Sequence, residues 1–174
     1  RLVFQSEREP GNPFYQIYVL DLETGDSRRL SPGWGKTTCG WLNPDGKQAI
    51  FASTHEDPDA RKDMQAEIDF RASGETRRYS WDYDEDFEIY AVTIGGNDFR
   101  NLTGTRGYDA EGALSPDGSQ IVFASNRTAY SQPMDAADQK LFDQDPAYMM
   151  DIYTMDADGG DVRRLTDVKG YDGG

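Results

Sequence analysis

Three stretches of this 174-residue chain superimpose with fixed internal spacing, and that repeat limits the possible fold more than any single residue does. They are Gln16-Ile17-Tyr18-Val19-Leu20-Asp21, Glu88-Ile89-Tyr90-Ala91-Val92-Thr93 and Asp151-Ile152-Tyr153-Thr154-Met155-Asp156. Thirteen residues after each Ile stands a leucine in a polar run: Arg29-Leu30-Ser31, Asn101-Leu102-Thr103 and Arg164-Leu165-Thr166. Each set reads as two strands joined by a hairpin. Fifteen residues beyond Leu30 and Leu102 comes the turn aspartate of Leu42-Asn43-Pro44-Asp45-Gly46 and Leu114-Ser115-Pro116-Asp117-Gly118. Proline presets the first turn position, Asp tolerates the second, and Gly accepts the left-handed backbone that closes the hairpin. The β-branched and aromatic runs Gln48–Ser53 and Gln120–Ser125 follow as strands, and Arg1-Leu2-Val3-Phe4-Gln5-Ser6 matches them.

One unit therefore runs strand A, Pro-Asp-Gly turn, strand B, variable loop, strand C with Ile-Tyr, hairpin, strand D. Four antiparallel strands make one propeller blade. The repeat is 72 residues from Ile17 to Ile89 and 63 from Ile89 to Ile152, and the whole difference lies between strands B and C. The expected fold is all-β, a propeller of four-stranded antiparallel blades with a short helix in a B–C insertion. The boundaries read as a partial blade 1–31, a blade 32–104 with an insertion at about 55–85, a blade 105–167 with an insertion at about 128–148, and the start of another blade at 168–174.

Ser115-Pro116-Asp117-Gly118, Ser125-Asn126-Arg127, Asp151-Ile152-Tyr153 and Leu165-Thr166 resemble the TolB-type propeller repeat, a relative of the WD repeat. The resemblance covers nearly all the chain outside the two insertions. It implies a closed propeller, commonly six-bladed and periplasmic, that serves as a protein or peptide docking platform or as an accessory domain beside a hydrolase. The second repeat departs from the pattern: Asn43 replaces the usual Ser, and Thr54-His55 replaces Asn-Arg. The chain is also far too short for closure. It begins in strand B with neither Met nor a signal peptide, and stops early in a strand A, which leaves two sheet edges and two blade faces uncovered. A fragment of a longer product, or self-association of two copies through the open edges, is expected.

Composition narrows the partners. The net charge of −14, from 32 acidic against 18 basic residues, repels nucleic-acid phosphates and an anionic membrane surface. No apolar run is long enough to span a bilayer. The single Cys39 has no second thiol and reads as a core residue. His55 is the only histidine, so multi-histidine metal sites and most histidine-based triads are excluded, and no Gly-x-Ser-x-Gly elbow or phosphate-cradling glycine loop is present. No catalytic residue is assigned.

In such a blade the B–C loops and D–A connections share one face. The first insertion carries Asp57-Pro58, read as a helix cap, and a stripe of Ala60, Met64, Ile68 and Ala72 packed on the propeller rim. The second, with Gln139-Lys140-Leu141-Phe142 and Tyr148-Met149-Met150, reads as an anchored loop. On the same face lie Gly107-Tyr108-Asp109-Ala110-Glu111 and Gly170-Tyr171-Asp172. Their acids are expected to rim the central channel, where Asp109, Glu111 and Asp172 would ligate calcium, accept a basic peptide or stay simply hydrated. Tyr108, Asp109, Glu111, Tyr171 and Asp172, with His55 and Trp81 from the first insertion, are the candidate binding residues. The acidic runs Asp82–Asp86 and Asp156–Asp161 read as solvated turns, since neither keeps an EF-hand pattern. The function expected is a non-catalytic scaffold for a protein or peptide in the periplasm or outside the cell. The alternatives are a propeller accessory to a larger peptidase or amidohydrolase, and a calcium-binding or carbohydrate-related propeller.

Overall fold

The computed structural model describes residues 1–78 and 82–173, and among them three antiparallel sheets follow one another along the chain. The first holds β1 (Leu2–Ser6), β2 (Gln16–Leu20) and β3 (Ser27–Arg29). The second holds β4 (Thr37–Leu42), β5 (Gln48–Ser53), β6 (Glu88–Thr93) and β7 (Phe99–Asn101). The third holds β8 (Asp109–Leu114), β9 (Gln120–Ser125), β10 (Asp151–Asp156) and β11 (Arg163–Arg164). Each strand pairs only with its sequence neighbours, the meander that short hairpins dictate.

The Ile-Tyr signature has a physical basis in all three sheets. Phe4 is opposite Tyr18, Phe51 opposite Tyr90, and Phe123 opposite Tyr153. The rings stack at centroid distances of 5.6, 6.2 and 5.6 Å, a cross-strand geometry worth about 0.5–1.5 kcal/mol per pair beyond burial. All three tyrosines are buried, so their hydroxyls need partners. Tyr18 and Tyr90 donate to Glu9 and Glu56 at 3.0 and 2.8 Å, and Tyr153 shares a 2.5 Å bond with Thr128. Each partner stands three residues past the serine that ends the second strand of the unit, so the tyrosine ties the sheet to its own variable loop.

The Leu-Ser/Thr ending is a latch. The Ile17, Ile89 and Ile152 N–H groups donate to Ser31 Oγ, Thr103 Oγ1 and Thr166 Oγ1 at 3.0, 3.0 and 2.9 Å. The same hydroxyls donate to the side chain just before each Ile: Gln16 at 2.7 Å, Glu88, and Asp151 at 3.5 Å. The hydroxyl continues the ladder where β3, β7 and β11 have ended. In the Pro-Asp-Gly turns, Asn43 Oδ1 accepts from the Asp45 N–H at 3.1 Å, while Ser115 Oγ donates to Asp117 at 2.6 Å. The atypical Asn43 thus pins its turn by an amide oxygen instead of a hydroxyl.

Successive sheets stack through their apolar faces. Ala49, Phe51, Tyr90 and Val92 of the second sheet cover Ile17, Val19 and Leu30 of the first. Ile121, Phe123, Tyr153 and Met155 of the third cover Ile50, Ile89, Ala91 and Leu102 of the second. The first strands β4 and β8 carry a bulge at matching positions, where Cys39 and Glu111 adopt positive φ (53° and 58°). The next residue is glycine both times. A Cβ on Gly40 would stand 2.6 Å from Val3, and one on Gly112 would stand 3.3 Å from Ile89 and 3.4 Å from Ile50.

The insertions are helical. The helix α1 (Ala60–Ser73) starts two residues beyond Pro58, with Asp59 at its N-cap position. Asp57 accepts from the Asp59 N–H at 2.8 Å and so fixes the turn before the helix instead of capping it. Ala60, Met64 and Glu67 form its buried face, while Ile68 is half-buried and Ala72 exposed. Glu67 is drawn inward by Arg71 at 2.7 Å and Arg77 at 2.6 Å, which rotates the packed face off the apolar stripe. The second insertion, expected as a loop, folds into α2 (Arg127–Ser131), α3 (Ala136–Gln144) and a 3-10 turn at Pro146–Met149. Asp135 caps α3 by accepting from the Ala137 and Asp138 N–H groups.

Glu88 is the latch side chain whose charge is least at home. Burial pushes its carboxyl up to about 7, with nearby Asp109 adding to the rise against the Thr103 hydrogen bond. The folded state therefore holds a proton that the unfolded chain releases near its ordinary carboxylate pKa, so stability falls as pH rises between about 4.5 and 7. Glu88→Gln, which copies Gln16, should remove that component. The expected outcome is a melting temperature unchanged at pH 4.5 and raised at pH 8, by about 2 kcal/mol in unfolding free energy. Denaturant titrations at the two pH values check it.

Candidate functional site

A cleft of about 800 Å³ opens where α1, the loop before β2 and the lead-ins to β4 and β8 meet. Five segments position its walls. The loop contributes Phe14 and Tyr15, the β4 lead-in Lys36 and Thr37, the helix Phe70 and Arg71, and the stretch before β6 Tyr83 and Phe87, with Tyr108 behind them. Asn12 and Gln16 hold the loop and the β4 lead-in together: both side-chain amides donate to Gly35 O, at 3.2 and 2.9 Å. The aromatic wall is packed on itself. Tyr108 stacks on Tyr83 at 5.7 Å and meets the edge of Phe87 at 5.4 Å, and its N–H donates to Asn126 at 2.8 Å.

Charges in the cleft come in neutralising sets. Lys36 lies 3.0 Å from Asp84 and 3.2 Å from Asp82, with its ammonium 5.6 Å from the Phe14 ring centre. Burial works against its charge, yet the two aspartates prevail and hold the ammonium above its usual range. Burial likewise opposes ionisation of Glu67, but Arg71 and Arg77 keep its carboxyl below the usual range. Arg71 also reaches Glu7 at 3.1 Å, which clamps α1 to the first sheet. The result is a pre-arranged, nearly charge-balanced trough with exposed aromatic surface at Tyr15, which suits backbone and mixed side chains more than a single strong anion or cation.

The candidate residues fall into separate places. Tyr108 is part of the cleft wall. Asp109, expected at a hydrated channel rim, is fully buried and grips Arg127 with both oxygens, at 3.2 and 2.6 Å. Burial pushes its carboxyl up to about 6 against the opposing pull of that guanidinium. His55 occupies in the second sheet the place of Arg127 in the third. Its ring packs 4.3 Å from Tyr90 and 5.6 Å from Phe99, Nδ1 is 2.9 Å from Ser53 Oγ, and burial lowers its pKa. Glu111 and Tyr171 lie within electrostatic reach of each other and of Cys39, whose half-buried thiol is pushed up by burial. Asp172 donates its N–H to Met150 O at 3.0 Å. Trp81 lies outside the described residues.

Among the described residues no group of three or more His, Cys, Asp or Glu side chains is placed to hold a metal ion. Reasoning from the sequence missed Phe70 and Arg71, which lie in an insertion, and Phe14, Tyr15 and Lys36, whose counterparts one repeat away are Asp86, Phe87 and Tyr108, so that no residue type is kept at those positions.

Comparison with known proteins agrees with this architecture. No family model matches the chain. An uncharacterized protein of Agrobacterium fabrum is 24% identical over 159 residues, covering 91% of this chain and 41% of that protein. A TolB-assigned protein of Agrobacterium tumefaciens superimposes with a TM-score of 0.57 at 22% identity, covering 98% of this chain and 47% of that one. TolB from Acinetobacter baumannii gives 0.54 at 22% identity, with coverages of 94% and 29%. An oligogalacturonate lyase from Vibrio parahaemolyticus gives 0.53 at 13% identity, with coverages of 94% and 35%. The chain thus has a TolB-like β-propeller fold and spans under half the length of these relatives. Among the described residues no helix is long and apolar enough to cross a membrane.

The second and third sheets solve the same positional problem differently, as Thr37 with His55 and as Asp109 with Arg127. Arg127→Met should cost about 3–5 kcal/mol by leaving a buried carboxylate without its cation. Asp109→Thr combined with Arg127→His, which copies the second sheet, should recover more than half of that loss. Equilibrium unfolding of the two variants checks both expectations.

Proposed function

We propose that this stretch of propeller is a non-catalytic scaffold that binds an extended protein segment in the cleft beside α1. The observation that carries the reading is the cleft itself: about 800 Å³, bounded by a fixed aromatic wall and by ion pairs already satisfied within the protein. Such a surface offers shape, aromatic contact and paired charges. The net charge of −14 favours a segment with basic character. The TolB likeness supports a protein partner and an envelope location, periplasmic or secreted.

Peptides selected from a random library against the wild-type chain provide the test. Ala66→Trp, which fills the trough from an exposed turn of α1, and Tyr15→Ala, which strips its rim, should each weaken the selected peptides by about tenfold or more. Calorimetry or fluorescence anisotropy reads the change. Equal affinity for wild type and both variants would sink the proposal.

A further inference from the structure

The polar end of the aromatic wall points into the second insertion. Tyr83 stacks on Tyr108 with ring planes 15° apart, an arrangement that fixes the tilt of its ring but lets the ring slide at little cost. Its hydroxyl removes that freedom. The Tyr83 Oη lies 2.7 Å from Asn126 Nδ2 and 2.8 Å from the Tyr130 hydroxyl. Both partners come from the third unit: Asn126 stands at the N-cap position of α2, and Tyr130 lies within that helix.

The direction of each hydrogen bond is dictated by its donors. The Asn126 amide nitrogen can only donate, and the Tyr130 hydroxyl donates to Glu85 at 2.8 Å, so Tyr83 accepts from Asn126 and donates to Tyr130. At the far end, burial opposes ionisation of Glu85, but the Arg106 guanidinium and the Tyr130 hydroxyl hold its carboxyl below the usual range. At the near end, Asn126 is fully buried, its Oδ1 accepts from the Tyr108 N–H at 2.8 Å, and Nδ2 also reaches Pro146 O at 3.3 Å. One line thus runs from the Tyr108 N–H through Asn126, Tyr83 and Tyr130 to a carboxylate, with every bond polarised in the same sense. Phe142 of α3 meets the Tyr130 ring edge-on at 5.4 Å, and Arg106 lies 5.2 Å over it.

The second unit shows what this line adds. There Thr54 holds the place of Asn126, and its Oγ1 accepts from the Lys36 N–H at 3.1 Å as Asn126 accepts from Tyr108. Threonine completes that backbone bond and has no amide to donate onward. Holding the strand start therefore accounts for the Asn126 oxygen alone. The Asn126 amide nitrogen and the Tyr130 hydroxyl are directed at a residue of the cleft.

We propose that Asn126 and Tyr130 are positioning residues: through the Tyr83 hydroxyl they set where its ring stands in the cleft wall, so the second insertion determines which segments the cleft accepts. The inference rests on the scaffold reading above.

Asn126→Thr keeps the backbone bond in the manner of the second unit, and Tyr130→Phe keeps the ring; each severs one contact to the Tyr83 hydroxyl. Either variant should bind peptides selected against the wild-type chain about fivefold or more weakly. In a Tyr83→Phe background the same two substitutions should change affinity no further, since both act through the hydroxyl already removed. Carbon-13 spectra of ring-labelled tyrosine, with the Tyr83 signals assigned by their loss in Tyr83→Phe, should show those signals shifted or broadened in both variants. Peptides weakened by Ala66→Trp and Tyr15→Ala but bound equally by Asn126→Thr and Tyr130→Phe overturn this inference and leave the scaffold reading standing. Further loss on top of Tyr83→Phe overturns it as well, because the two residues then act on the fold and not through Tyr83. Unmoved Tyr83 signals overturn the positioning role whether or not a peptide binds. A library that yields no binder overturns the scaffold reading and, with it, the selectivity assigned to the second insertion.

Discussion

Stacking of one sheet's apolar face on the next is the constraint on which the rest of the structure depends. A three- or four-stranded meander buries little by itself, and each sheet here gains its core only from its neighbour. The glycines after the bulges in β4 and β8 fit that demand, since a Cβ on Gly40 would collide with Val3 and Ile17 of the first sheet and one on Gly112 would press on Ile50 and Ile89 of the second. The bulges in turn set where the lead-ins Lys36–Thr37 and Tyr108–Asp109 lie, and these place one side of the cleft.

The hydroxyl latch and the Phe–Tyr stack act at a different level. Beyond the rings that the stacks bury in the core, they fix where each sheet stops and where its variable loop departs. Tyr18 and Tyr90 each donate a hydrogen bond to the third residue beyond the preceding strand, and Tyr153 shares one with the residue at the same place. An insertion therefore leaves a rigid anchor, and the second unit accommodates α1 without disturbing the pairing of β5 with β6. Glu67, Arg71 and Glu7 then dock the helix on the first sheet, so the cleft is spanned by side chains from two successive units.

Sheet order, register and turn positions were legible in the sequence because they recur. Ile17, Ile89 and Ile152 occupy equivalent strand positions, and the turn aspartates fall where the spacing puts them. The cleft was not legible, because Phe70 and Tyr83 lie in the insertion and the positions of Phe14 and Lys36 are held by Asp86 and Tyr108 in the next unit, so no pattern marks them. Nor was the fate of Asp109. An acid beside a glycine at a strand start reads as solvated, and only the folded chain shows Arg127 reaching it from the following hairpin. His55, read from the sequence as a capping or exposed residue at the start of the first insertion, packs instead against Tyr90 and Phe99 in the place of an arginine. The helix face of α1 turned because two arginines paid for the burial of Glu67.

The outermost strands are the shortest elements of the sheets and the most cationic. β3 is Ser-Arg-Arg, β7 holds Arg100, and β11 is Arg-Arg alone, all with exposed arginines. Two or three residues of ladder make a short template for an incoming β-strand, and the arginines beside it are held by the protein's own carboxylates, Arg29 by Glu9, Arg163 by Asp161 and Arg164 by Asp151. Strand addition at this perimeter has little free ladder to extend. Under the scaffold reading proposed above, a bound segment is therefore distinguished by its side chains and not by backbone pairing.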